Sequence, residues 1–179
     1  SGNGGAVYFE SDGNVTNCNF MNNSAYNGGA FTIDQQDHTE AISNLVINTN
    51  FTENTATYFG GAVSSESDNL TFDHCQFEKN EASYGGAIES NFNVANTYVS
   101  NSEFNENSAY SGGALSVGSG WIIKDSNFTK NIATSFGGAA YILGSGNSIE
   151  NSNFTSNEAM IGGSVYISAN GNGNSIEKS

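Results

Sequence analysis

The chain of 179 residues has no proline and no arginine, a single tryptophan, two cysteines, and only four basic residues, Lys79, Lys124, Lys130 and Lys178, against a net charge of −14. Each shortage excludes something. Without proline, no backbone donor is missing from a hydrogen-bonded ladder. Without arginine and with so few lysines, the chain cannot neutralise a row of phosphates, so nucleic acid is set aside as a partner class and anionic lipid with it. No apolar run approaches the roughly 18 residues of a membrane span, and no leader pattern is present. Direct membrane insertion by this segment is therefore not expected. No 11-residue window keeps a helical stripe, and Gly and Asn crowd every stretch.

What the chain has is a period. Seven glycine pairs begin at Gly4, Gly28, Gly60, Gly85, Gly112, Gly137 and Gly162, at spacings of 24, 32, 25, 27, 25 and 25 residues. Interleaved with them are six Phe-x-x-Asn tetrapeptides: Phe20-Asn23, Phe51-Asn54, Phe77-Asn80, Phe104-Asn107, Phe128-Asn131 and Phe154-Asn157. An alanine follows each of these Asn by two, from Ala25 to Ala159, and a small and then an apolar residue follow most glycine pairs, as in Ala62-Val63 and Ala87-Ile88. A period near 25 held over a whole chain is the signature of a solenoid. Short alternating apolar runs make the coil β, with two or three strands expected in each. Parallel strands of successive coils stack about 4.8 Å apart, so equivalent residues sit above one another.

The expected fold is an all-β, single-stranded, right-handed parallel β-helix of about seven coils, roughly 30 Å long. The six Phe form an inward aromatic stack. Asn23, Asn54, Asn80, Asn107, Asn131 and Asn157 form a ladder at a turn, each amide bonded to its neighbours. Cys18 and Cys75 share one repeat position two coils apart, about 9.6 Å at that rise and beyond the roughly 7 Å a disulfide allows. No disulfide is expected. The chain opens on a glycine pair in mid-repeat and closes on Asn174-Ser175-Ile176-Glu177-Lys178, an echo of Asn147-Ser148-Ile149-Glu150-Asn151. Residues 1–179 thus read as one β-helix segment cut from a longer protein, with an inserted loop over 34–43 in the second coil.

The two interleaved motifs, such as Gly85-Gly86-Ala87-Ile88 with Phe77-Glu78-Lys79-Asn80, resemble the repeats of chlamydial polymorphic outer-membrane proteins. Similar repeats occur in adhesin-like surface proteins of methanogenic archaea and some protists. The resemblance covers essentially the whole chain. It implies an extracellular, cell-surface adhesin-like segment whose partner is a glycan or protein of a host or neighbouring cell, or another copy of itself.

Several residues are candidates for chemistry. Sequons for N-glycosylation stand at Asn14, Asn22, Asn50, Asn69, Asn127 and Asn153; an Asn- and Ser-rich repeat also creates such triplets by chance. Glu10, Asp34 and Glu66 each stand five residues after the second glycine of a pair. In register they stack carboxylates about 4.8 Å apart, a spacing that could recruit Ca²⁺ or leave the side chains splayed into solvent. No other cofactor is implied. His38 falls in the inserted loop and His74 in a column otherwise held by Asn17, Asn48, Asn101, Asp125 and Asn151, so His74 reads as a substituted ladder member. Tyr8, Tyr141 and Tyr166 share a register three residues after the second glycine, where rings serve packing or stack on sugars.

Three function classes compete. A polysaccharide-cleaving enzyme is the first rival, and a retaining or inverting glycosidase needs two carboxylates facing one bond. Glu103 and Asp125 could approach across coils, but both are expected at exposed turns, and no motif supplies a nucleophile or base. A structural stalk, spacer or filament or sheath subunit suits so regular a repeat. A non-catalytic adhesin, making extended multivalent contact along one face, fits both the repeat and the resemblance.

Overall fold

A computed structural model describes residues 2–11, 13–34, 44–91 and 96–179. Apart from Asp34, the proposed insertion at 34–43, His38 included, lies outside the described residues. The chain is an all-β parallel solenoid of about six turns, with no helix among the described residues.

Each complete coil has four strands rather than two or three. The central coil runs Val63–Ser65, Leu70–Asp73, Gln76–Glu78 and Glu81–Tyr84. Every strand pairs in parallel with its equivalents one turn above and below, which gives four sheets of seven, seven, six and five strands. The chain turns between sheets at residues in the left-handed region: Asn69 (φ 57°), His74 (φ 52°), Lys79 (φ 53°) and Gly85 (φ 61°) in this coil. Such a conformation is disfavoured for most L-residues, with Asn and Gly the usual occupants. Four of these corners per turn are why the strands are so short.

The glycine pair makes one corner through two distinct demands. The first glycine supplies the positive φ. The second supplies close approach: a Cβ on Gly113 would lie 2.1 Å from the carbonyl oxygen of Gly138 in the next coil, so any larger residue would push adjacent coils apart.

The interior is a line of stacked side chains. Phe51, Phe77, Phe104 and Phe128 are fully buried, with Phe20 and Phe154 half-buried at the ends. Successive rings lie 5.3, 4.8, 4.7, 4.6 and 4.8 Å apart with planes within 7° of parallel. Sheet register brings each ring directly over the next, and burying each contributes about 1.5–3 kcal/mol. The alanines from Ala25 to Ala133 are buried in the fourth sheet, where Ala25 pairs with Ala56, and Ala109 with Ala82 and Ala133.

Candidate binding groove

The repeat's most regular polar residues are structural. Asn54, Asn80, Asn107 and Asn131 are fully buried. Each uses its backbone N–H and its Nδ2 to donate to Oδ1 of the next Asn up the rod, and its second Nδ2 hydrogen to donate to the Phe carbonyl one coil back. For Asn80 these are 3.0 Å and 3.0 Å to Asn107 Oδ1 and 3.0 Å to Phe51. Asn23 and Asn157 cap the two ends of the row. A second, hydroxyl ladder was not recognised as one from sequence. The backbone N–H groups of Cys75, Ser102 and Ser126 donate to the hydroxyls of Ser102, Ser126 and Ser152 one coil on, at 3.1–3.3 Å. Each serine returns its own proton to the carbonyl two residues earlier. The signal was there, as small polar residues two before each Phe, with Cys18, Thr49 and Cys75 in the same column. Cys18 is exposed and Cys75 buried, both as free thiols. Burial pushes the Cys75 thiol up to about 11, so it is no thiolate.

The His74 column is an exposed backbone corner rather than a row of buried amides. Its members all take positive φ, and Asn151 donating to Asp125 at 2.7 Å is its one side-chain bond along the column among the described residues. His74 Nδ1 lies 2.9 Å from Asp73 Oδ2. Of the sequons, Asn14, Asn22, Asn127 and Asn153 are exposed and Asn50 and Asn69 half-buried; Asn153 donates to Asn127 at 3.1 Å. Glu10, Asp34 and Glu66 follow stacked strands, but Asp34 Oδ2 is taken by the Tyr8 hydroxyl at 2.6 Å. That bond pushes the Tyr8 phenol up to about 12. Among the described residues no group of three His, Cys, Asp or Glu converges on a point where a metal ion could sit. Glu103 and Asp125 are exposed, on a strand and at a corner respectively.

Among the described residues, a concave feature with both rings and polar groups lies at the glycine-pair corner. One wall is the register column Asn27, Phe59, Tyr84, Ser111, Phe136 and Ile161 at the ends of the fourth-sheet strands. The floor is the outward column of the first sheet: Tyr8, Thr32, Ser64, Glu89, Ser116, Tyr141 and Tyr166. Glu66, Asn91 and Leu143 form the far side, and the central cavity is about 300 Å³. Glu89 accepts from the Ser64 hydroxyl at 3.1 Å through Oε2. Enclosure by the groove pushes its carboxyl up to about 8, the Ser64 bond opposes this, and the Glu66 charge adds to it. At neutral pH Glu89 is therefore mostly protonated and can donate as well as accept. No lysine lines the cavity.

Beside the groove, rings run from coil to coil, all of them exposed but the half-buried Tyr84. Tyr26 contacts Tyr58 at 4.8 Å, Tyr58 contacts Phe59 at 6.1 Å, Phe59 contacts Tyr84 at 5.9 Å, and Tyr84 contacts Tyr110 at 6.2 Å. Phe136, Tyr141 and Tyr166 form a further cluster up the rod, at 4.7–5.8 Å.

Residues 48–66 match the family model of the Chlamydia polymorphic membrane protein repeat. Over that stretch the chain carries a polymorphic-membrane-protein-like repeat. The matched repeat spans one corner-to-groove stretch: Asn48 at a positive-φ turn, Phe51 in the ring stack, Asn54 in the amide ladder, Ala56 in the fourth sheet, then Gly60-Gly61-Ala62-Val63 and Glu66 at the groove. No curated protein and no solved structure matches the chain.

Proposed function

We propose that this segment is a non-catalytic, adhesin-like module of a cell-surface protein, and that it holds a surface glycan or protein along the aromatic groove. One observation carries the proposal: a strip of rings in contact from Tyr26 to Tyr110, exposed apart from the half-buried Tyr84, beside a cavity. Tyr58 is 44 % and Tyr110 53 % exposed, although the fold has a dry interior in which to place aromatics. Contiguous exposed apolar surface marks interaction sites. A solenoid repeats the same contact coil after coil, so weak individual contacts add by multivalency. The family resemblance supports the surface location.

The stalk reading is favoured by a different observation, the unbroken amide ladder and ring stack, which make the rod stiff. The two readings are compatible if the stalk is itself adhesive. To test adhesion, beads coated with the segment are washed over immobilised cell-surface material. Wild-type beads are expected to be retained, and beads carrying the Tyr58→Ala, Tyr110→Ala double variant to be lost. Equal retention of the two, or no retention of either, overturns adhesion by this strip. New reducing ends appearing in the wash would overturn the non-catalytic reading and point to Glu66 and Glu89 as a carboxylate pair.

A further inference from the structure

The groove changes character along the rod. In the coil that carries Ser111, Ser116 and Gly118, wall, floor and far side are all small. In the coil before it those positions hold Tyr84, Glu89 and Asn91, and in the coil after it Phe136, Tyr141 and Leu143. The result is a notch, with Tyr84 as its aromatic shoulder on the side of the earlier coil and Leu143 on the other. The Ser116 hydroxyl lies at its floor, and the Glu89 carboxyl and Asn91 amide at one side. The cavity that the notch belongs to, lined also by Phe59, Glu66 and Tyr84, is about 300 Å³, at the lower end of small-ligand pockets, which run roughly 300–1,000 Å³.

The lining specifies chemistry. The Phe59 and Tyr84 rings in the lining suit a flat, C–H-bearing surface. The Ser116 hydroxyl and the Glu89 carboxyl in the lining suit a ligand rich in hydroxyls. Oε1 of Glu89 has no hydrogen-bond partner among the described residues, while Oε2 is held by Ser64, so one oxygen is left for a ligand. Anions are disfavoured, because Glu66 shares the groove, no lysine lines it and the chain carries −14. The wall and floor columns also continue past the notch in both directions along the axis, as a chain-like ligand requires.

We infer that the notch over Ser116 seats one ring of a neutral polysaccharide, with neighbouring sugar units lying along the aromatic groove. This rests on the groove being the adhesive surface, and the test separates the two. The segment is titrated calorimetrically with neutral hexasaccharides of glucose, mannose and N-acetylglucosamine, and with an oligogalacturonate of the same length. At least one neutral hexasaccharide binds and the oligogalacturonate does not. Ser116→Phe, which fills the notch, and Tyr84→Ala, which removes a shoulder, each weaken binding about tenfold or more. Glu103→Gln, on another face, leaves it unchanged. Thermal melting checks that Ser116→Phe is folded, and Tyr84→Ala, which only deletes atoms from the groove wall, keeps the test decisive if it is not. Bead retention lost on Ser116→Phe, with no hexasaccharide bound by the wild type, leaves adhesion standing and overturns the sugar. Hexasaccharide binding indifferent to both variants overturns the notch as its seat.

Discussion

Replacing Asn107 by Ala breaks the amide ladder at its middle, and the structure sets the size of the loss. Asn107 is fully buried. Its Oδ1 accepts the Asn80 backbone N–H and the Asn80 Nδ2, both at 3.0 Å, and its Nδ2 donates to Phe77 O at 2.9 Å and Asn131 Oδ1 at 3.0 Å. Truncation strips both donors of Asn80 of this acceptor, and one of them is a backbone N–H with no other side-chain partner. Asn131 Oδ1 keeps the Asn107 backbone N–H at 3.1 Å, so it is not orphaned. Two stranded donors at about 1–3 kcal/mol each give about 2–6 kcal/mol, with the centre near 4. Asn23→Ala is the internal control. Asn23 only donates, and Asn54 Oδ1 still keeps the Asn23 backbone N–H at 3.1 Å, so no buried group is stranded. A loss of about 1 kcal/mol is expected there. Urea unfolding followed by far-UV circular dichroism reads both. If Asn107→Ala lies within about 1 kcal/mol of wild type, or costs no more than Asn23→Ala, the ladder is not a buried, obligatory network and the reasoning fails.

Two further outcomes follow from the same structure. Phe104→Ala removes a fully buried ring held between neighbours at 4.7 and 4.6 Å, and should cost about 3–5 kcal/mol in the same urea assay; Phe154→Ala, half-buried at the end of the stack, should cost clearly less. Glu89→Gln should change how stability depends on pH. The carboxyl titrates at about 8 when folded against an ordinary 4.5, so the folded state holds its proton more tightly, and stability is complete below pH 4.5 and falls as pH rises towards about 8. At about 1.36 kcal/mol per pKa unit the limit is near 5 kcal/mol, and partial access of water to the groove brings it to about 2–4 kcal/mol. Wild type and Glu89→Gln should therefore match at pH 4 and diverge in favour of Gln up to about pH 8; parallel curves from pH 4 to 9 would show that Glu89 is not enclosed.

The repeat by itself determined the period, the β class, the parallel stacking, and the columns of Phe and Asn. The reason is physical: in a solenoid each residue meets its own equivalent one turn away, so an interior ring or buried amide must recur at one fixed offset. The number of sides to the coil was not legible. Its corners require a backbone conformation, and Asn, Asp, His, Lys, Glu and Ser all supply it at one position or another, as at Asn48, Glu53, His74, Lys79, Asp125 and Ser156. Only the tertiary structure decided the groove. Its aromatic wall does not keep step with the Phe motif, because Thr55–Phe59 and Ile132–Phe136 carry one residue more than Glu81–Tyr84, and the register shifts there. Periodicity says which residues are equivalent along the rod. Which columns close over one another around it, and so which carboxyl is enclosed and which rings stay open to solvent, depends on how the coil turns at each corner.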